Sequence, residues 1–258
     1  LCVIPKCAST SLQSWFVAAE EGPDHGIPDA RLHRYCKRKY ALSAQPADTS
    51  AELLRHRVKV AIVRDPLERL ASAFASKFVA IPPPEHTSRR VVEIVQRGTV
   101  HDVVHDIRKT VNYGARTAEE PACSTVDYDR GVTFREFLDH VVATPDPRLD
   151  PHWRPQSNFL SPIKFDLIGT VDHLGWSLQQ AVARAGLNIP TPATRTPQTR
   201  SPGQTEFLAD TTAGELRAQG IRPTVDALYD DELRTLARAR YARDVEIYAA
   251  AMRPPAFV

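Results

Sequence analysis

Apolar positions along the chain switch between two periods, and the switches mark the elements. Leu1-Cys2-Val3-Ile4 is a short strand-like run. Pro5-Lys6-Cys7-Ala8-Ser9-Thr10-Ser11 is a turn of small and hydroxyl residues. Leu12, Trp15, Phe16 and Ala19 then recur at i, i+3, i+4 and i+7, the signature of one helix face. Val58 to Val63 is the strongest strand, nearly continuous in apolar residues, as a parallel strand covered on both faces should be. Arg64-Asp65-Pro66-Leu67-Glu68 opens the next helix, with Asp65 as N-cap, Pro66 at N1 and Glu68 placed for a capping box. Leu67, Leu70, Ala71, Phe74 and Phe78 form its buried stripe.

Phe165 to Gly169 reads as a further strand, followed by a helix through Leu174, Leu178, Val182 and Ala185. Repeated strand–helix units imply an α/β fold with a central parallel sheet flanked by helices. Residues 80–150 read as a mostly helical insertion, with helices over Val91 to Val111 and Phe134 to Val142 and a polar loop around Glu119 to Asp129. Residues 188–205 hold four prolines among threonines and arginines, a loop by composition. Asp230 to Met252 reads as one closing amphipathic helix. No internal repeat is present, and the expectation is a single domain over 1–258.

Composition narrows the classes. The 258 residues carry 33 Lys+Arg against 31 Asp+Glu, a formal charge of +2, which gives no electrostatic reason for a nucleic-acid partner. No run approaches the ~20 apolar residues of a membrane span. Four cysteines do not make a disulfide scaffold. Leu1 to Ile4 has no basic leader before it, so the chain is expected to begin inside structure.

The first turn carries candidate chemistry. A strand that ends in a small-residue turn and enters a helix converges backbone N–H groups on one point, where the helix dipole adds positive charge. Lys6 adds a full charge, and Ser9, Thr10 and Ser11 add hydroxyl donors. The ordinary alternative is a helix capped by hydroxyls. The turn is not a Walker A loop: it lacks glycine, and its lysine stands at the start. Arg64, at the C-terminal end of the second strand, occupies the sheet edge where α/β proteins place ligands. Ser72 follows two turns into the helix and is a second donor. For Arg64 the ordinary role is an ion pair with Glu68.

These residues carry a resemblance. Val3 to Leu12 resembles the 5′-phosphosulfate-binding motif of the sulfotransferases, and Ile62 to Phe74 resembles their 3′-phosphate-binding motif. His152-Trp153, the Phe165 to Asp172 strand, the Thr194-Arg195-Thr196 stretch and the last helix follow in the order of sulfotransferase family 2, the carbohydrate and chondroitin 4-O-sulfotransferase-like group. The resemblance implies a P-loop-like fold and the donor 3′-phosphoadenosine 5′-phosphosulfate (PAPS), with 3′,5′-ADP (PAP) as product and no metal. It implies that Lys6 is catalytic. Lys6, Cys7, Ala8, Ser9, Thr10 and Ser11 would hold the 5′-phosphosulfate, and Arg64 and Ser72 the 3′-phosphate. The 188–205 loop would close over the donor, with Arg195 or Arg200 reaching its 3′-phosphate or adenine. The acceptor would be a hydroxyl, of a glycan or a small glycosylated molecule. Other classes remain open, namely a nucleotide-phosphate-binding module without turnover and a P-loop kinase.

An attacking hydroxyl is helped by a base that titrates near neutrality, which suits histidine. His33, expected at the end of a second strand after Ile27-Pro28, is favoured. His152 is the rival, as base or in acceptor binding. His101 and His105 stand i, i+4, a metal-capable spacing without a third ligand nearby, so an exposed helix face is the simpler reading. Lys37, Arg38 and Lys39 form a short basic cluster, usually a solvated turn. The segment from Ser157 to Lys164 lacks the cysteine pair that Golgi members often carry, no N-x-[ST] sequon occurs, and arginine and alanine outnumber lysine. The expectation is a soluble cytoplasmic bacterial enzyme, with a Golgi-lumen domain second.

Overall fold

The structure is a computed structural model and describes residues 1–22, 24–80, 86–97, 126–190 and 206–253. The residues gather into two compact units. The first comprises 1–69, 154–197 and 241–258, and the second 70–153 and 198–240.

The first unit is built on a small parallel sheet. Strand β1 (Val60–Val63) pairs in parallel with β2 (Leu167–Thr170), Val60 opposite Leu167 and Val63 opposite Thr170. Of the expected first strand only Cys2 pairs, as a parallel bridge to Ala61 with Cys2 N–H on Val60 O at 2.7 Å. Val60 O faces Cys2, whereas Lys59 O and Val63 O accept from Leu167 and Val171. Successive carbonyls of a strand point to opposite sides, so β1 is central and the three C-terminal ends lie on one edge.

Helices cover both sheet faces, as an apolar parallel strand requires. Val60 and Ile62 pack with Leu12 of α1 (Ser9–Glu21) and with Leu174, Leu178 and Ala181 of α8 (Leu174–Arg184). Ala61 and Val63 face the opposite way, against Ile4, Cys7, Leu160 of α7 (Ser157–Leu160) and Ile247 and Ala251 of α12 (Ala242–Met252). All four residues of β1 are buried. Gly169 lets α8 approach closely: a Cβ there would lie 2.3 Å from Ser177 Oγ.

Helix α2 (Asp29–Lys39) buries Leu32 and Cys36 against Val17 of α1. A short helix, α3 (Ala47–His56), precedes β1. Helix α4 (Pro66–Phe74) begins in the first unit with Asp65 Oδ1 accepting from the N–H groups of Leu67 and Glu68, the expected cap. Its stripe, Leu67, Leu70, Ala71, Phe74 and Phe78, is buried as expected, although Phe78 lies in a π-helical turn, Ala75–Val79.

The second unit is organised by aromatic rings. Phe74 and Phe78 meet Phe134 and Phe137 of α6 (Phe134–Ala143), Trp153 touches Phe78 and Phe137, and Tyr229 closes on Phe134. Thr133 and Glu136 form a capping box at the start of α6. Helix α5 (His86–Arg97) and three more, α9 (Ala213–Ala218), α10 (Val225–Leu228) and α11 (Asp231–Arg240), complete the unit. The expected single closing helix is in fact two, α11 and α12, broken at Tyr241 (φ −110°, ψ 28°). No helix of the described residues is long and apolar enough to cross a membrane. His101, His105, Arg195 and Arg200, and most of the 188–205 loop, lie outside the described residues.

Candidate functional site: a strained turn beside the end of the central strand

The turn from Pro5 to Ala8 holds two non-glycine residues in left-handed backbone, Lys6 (φ 68°) and Ala8 (φ 54°). Such conformations cost of order 1–3 kcal/mol each and persist only where surroundings hold them. Ala8 occupies the cap position of α1 and has no side-chain oxygen to offer its N–H groups. The helix therefore presents the backbone donors of Ser9, Thr10 and Ser11 at the sheet edge without a side-chain cap, the arrangement that suits an anion. Cys7, between the two strained residues, is fully buried.

Arg64 follows β1 and is 7% exposed. Its Nε donates to Glu68 Oε2 at 3.2 Å, so the ion pair named as its ordinary role is present. Ser72, eight residues on along α4, is buried.

Between Cys7 and Arg64 lies a residue that the sequence reading did not single out. Gln156, 1% exposed, accepts at Oε1 from Arg64 N–H (2.9 Å) and from the Cys7 thiol (3.0 Å), and donates from Nε2 to Arg64 O (2.8 Å). Burial pushes the Cys7 thiol up to about 11, against the opposing influence of Arg69 and Arg64, so it stays protonated and donates. Asp244 of α12 accepts from the N–H groups of Gln156 (2.6 Å) and Ser157 (2.8 Å). Arg69, 2% exposed, donates from Nε to Pro5 O (2.9 Å) and from Nη1 to Arg154 O (2.8 Å). The only sequence signal for Gln156 was its place just after the His-Trp pair.

The two candidate bases stand in different settings. His33 lies inside α2, not at the end of a strand as expected. Pro28 before the helix, Asp29 in its first turn and Lys37, Arg38 and Lys39 in its last turn supply the start and stop that make this segment helical. Its Nδ1 sits 3.1 Å from Gln13 Nε2 of α1. Lys39 of the basic cluster is engaged by Glu21 at 3.1 Å.

His152 belongs to the second unit. Asp150 Oδ1 accepts both its backbone N–H (2.8 Å) and a ring contact from Nδ1 (2.6 Å). Burial would raise the Asp150 carboxyl, but the hydrogen bonds from His152 outweigh it and hold the carboxyl below its ordinary value. The next residue, Trp153, is 1% exposed in the aromatic cluster and anchors the segment.

Human carbohydrate sulfotransferase 14 is 31% identical to the chain over 144 residues, which is 54% of this chain and 32% of that protein. The zebrafish (Danio rerio) protein of the same name is 30% identical over 147 residues, 56% of this chain and 34% of that one, and the mouse protein is 31% identical over 144. The matched stretch is thus about a third of the length of these relatives. All three are vertebrate proteins, which overturns the expectation of a cytoplasmic bacterial enzyme. No solved structure matches the chain. The family model described as "Sulfotransferase family" matches residues 1–249, and the chain belongs to that family.

Proposed function

We propose that the protein is a PAPS-dependent O-sulfotransferase that acts on a hydroxyl of a carbohydrate or related acceptor, and that residues 1–258 form its single sulfotransferase domain. The observation that carries the reading is the left-handed Lys6–Ala8 turn, tied through Gln156 to the start of the Arg64 segment on the same sheet edge. A donor with a phosphosulfate at one end and a 3′-phosphate at the other suits such a turn beside the end of a strand. The names of the vertebrate relatives support a carbohydrate acceptor.

PAPS supplies an activated sulfuryl group on a 5′-phosphate. During transfer the bond between sulfur and the bridging phosphate oxygen breaks, a bond from sulfur to the acceptor oxygen forms, and the hydroxyl proton passes to a base. PAP leaves. Most of the catalytic effect available to the protein is positioning and charge stabilisation. Lys6 and the N–H groups from Ala8 to Ser11 stabilise the charge that develops on the leaving phosphate. Arg64 and Ser72 hold the 3′-phosphate.

For the base, the hydrogen bonds favour His152 over His33. Asp150 holds Nδ1 of His152 and leaves Nε2 to take a proton, the logic of an oriented base. Gln13 Nε2 can only donate, so Nδ1 of His33 accepts its hydrogen bond and that lone pair is already engaged.

The test is Lys6→Ala, assayed with PAPS and a panel of hydroxylated glycans by mass spectrometry. Transfer by the wild type and at least a hundredfold loss in the variant, with an unchanged circular-dichroism spectrum, is the expected result. Full activity in Lys6→Ala would remove the role given to Lys6.

A further inference from the structure

We propose that Gln156 is a positioning residue: its side-chain amide fixes the spacing between the turn that holds the 5′ end of the donor and the strand end that holds the 3′ end. The proposal rests on the PAPS reading above and extends it to a residue that touches neither phosphate.

The amide behaves as one further rung of the sheet. The β1–β2 ladder closes at Val63, whose carbonyl accepts from Val171. At Arg64 the pairing passes to Gln156, which satisfies both the N–H and the C=O of that residue. The backbone of Arg64 is thereby pinned at both its N–H and its C=O one residue past the sheet, which restricts the departure direction of its side chain. The same Oε1 takes the Cys7 thiol, the one side chain between the two left-handed residues of the first turn. One amide oxygen therefore contacts both turns.

The amide has only one satisfactory orientation. A flipped amide would point Nε2 at two donors, Arg64 N–H and the Cys7 S–H, and Oε1 at the Arg64 carbonyl. Its backbone is equally fixed. Asp244 takes two successive N–H groups from Gln156 and Ser157, and Arg69 joins Pro5 O to Arg154 O. The segment 154–157 thus grips the first turn at Pro5 and Cys7 and the strand end at Arg64. Every residue in this arrangement belongs to the first unit.

Such a residue has a signature that general destabilisation lacks. Two sites at a fixed separation bind a two-headed ligand with a chelate advantage, which is lost when the separation loosens although each site survives. The measurement is therefore a ratio. Isothermal titration gives the affinity of the wild type for 3′,5′-ADP, for adenosine 3′-phosphate and for adenosine 5′-phosphate. Gln156→Met keeps the side-chain length and removes all three hydrogen bonds. We expect it to weaken 3′,5′-ADP binding about tenfold or more, roughly the worth of one to two hydrogen bonds, while each monophosphate changes by less than about threefold.

A second pair keeps the test decisive if Gln156→Met does not fold. Cys7→Ser retains a donor to Oε1 and should preserve the ratio; Cys7→Ala removes the donor and should lower it. A wild type that prefers 3′,5′-ADP, together with a Gln156→Met protein (or, failing that, Cys7→Ala) that keeps the whole preference, overturns the positioning role. A wild type with no preference for 3′,5′-ADP over the monophosphates overturns the PAPS reading instead.

Discussion

At the scale of the residue, the sharpest division is between two histidines that the sequence could not rank by environment. His33 and His152 are both imidazoles in plausible motifs, but their neighbours differ. A base must offer a lone pair when the hydroxyl arrives. Gln13 spends the Nδ1 lone pair of His33, and Asp150 spends the Nδ1 proton of His152, which leaves Nε2 of His152 as the acceptor. Removing a general base usually costs ~10²–10⁴ in turnover. His152→Ala is therefore expected to lower kcat by that order at saturating acceptor, with PAP affinity unchanged by calorimetry. His33→Ala should stay within a few-fold. The reverse ranking of the two kcat values would return the role to His33. Asp150→Asn should fall between them, because it keeps a hydrogen bond to the ring but removes the charge that stabilises imidazolium.

At the scale of the element, local pattern was legible and long-range pairing was not. The cap at Asp65, the buried stripe of α4 and the full burial of β1 followed from spacing and residue type alone, because each depends on neighbours within a few positions. His33 was misplaced despite local signals, since Pro28, Asp29 and the basic last turn mark a helix that the strand expectation overrode. Gln156 and Asp244 could not be read at all: they meet 88 residues apart, and no periodicity reports such a contact. The break at Tyr241 was hidden for a related reason. Tyr241 is itself buried, so the apolar pattern runs through it without interruption.

The joint between α1 and α2 shows what sequence spacing conceals and yields a pH prediction. Glu21, the last residue of α1, accepts from Tyr35, from Tyr40 and from Lys39. Hydrogen bonds from Tyr35 and Tyr40, then Lys39, hold its carboxyl down at about 2. A carboxyl depressed in the folded state and near 4.3 unfolded stabilises the fold above that range, and the contribution fades as pH falls toward about 2. In urea unfolding followed by fluorescence, Glu21→Gln should therefore have a lower midpoint than the wild type at pH 7, and the gap should narrow between roughly pH 4 and 2. A gap independent of pH would mean that the charge of Glu21 plays no part in the joint.

At the scale of the whole molecule, the first compact unit gives the donor reading a spatial prediction. The first turn, Arg64 and Gln156 all belong to the first unit, whereas Ser72 and His152 belong to the second. A ligand that binds only the folded state stabilises it by RT ln(1 + [L]/Kd), about 2.7 kcal/mol at a hundredfold excess over Kd. For a chain of this size each kcal/mol raises Tm by about 2–4 °C, so 3′,5′-ADP at that excess should raise the midpoint by roughly 5–10 °C. AMP, with one phosphate, should shift it less. ATP should do no better than AMP with or without magnesium, because its phosphates all extend from the 5′ end and Lys6 stands outside any Walker arrangement. Hydrogen exchange then locates the effect. Backbone amides of Lys6 to Ser11 and of Arg64 to Arg69 should slow on adding 3′,5′-ADP, since they form or adjoin the two turns. A magnesium-dependent shift with ATP that exceeds the shift with 3′,5′-ADP would instead assign the strained turn to a kinase. Protection by 3′,5′-ADP that spared both turns would leave Lys6 and Ala8 strained for a reason other than the donor.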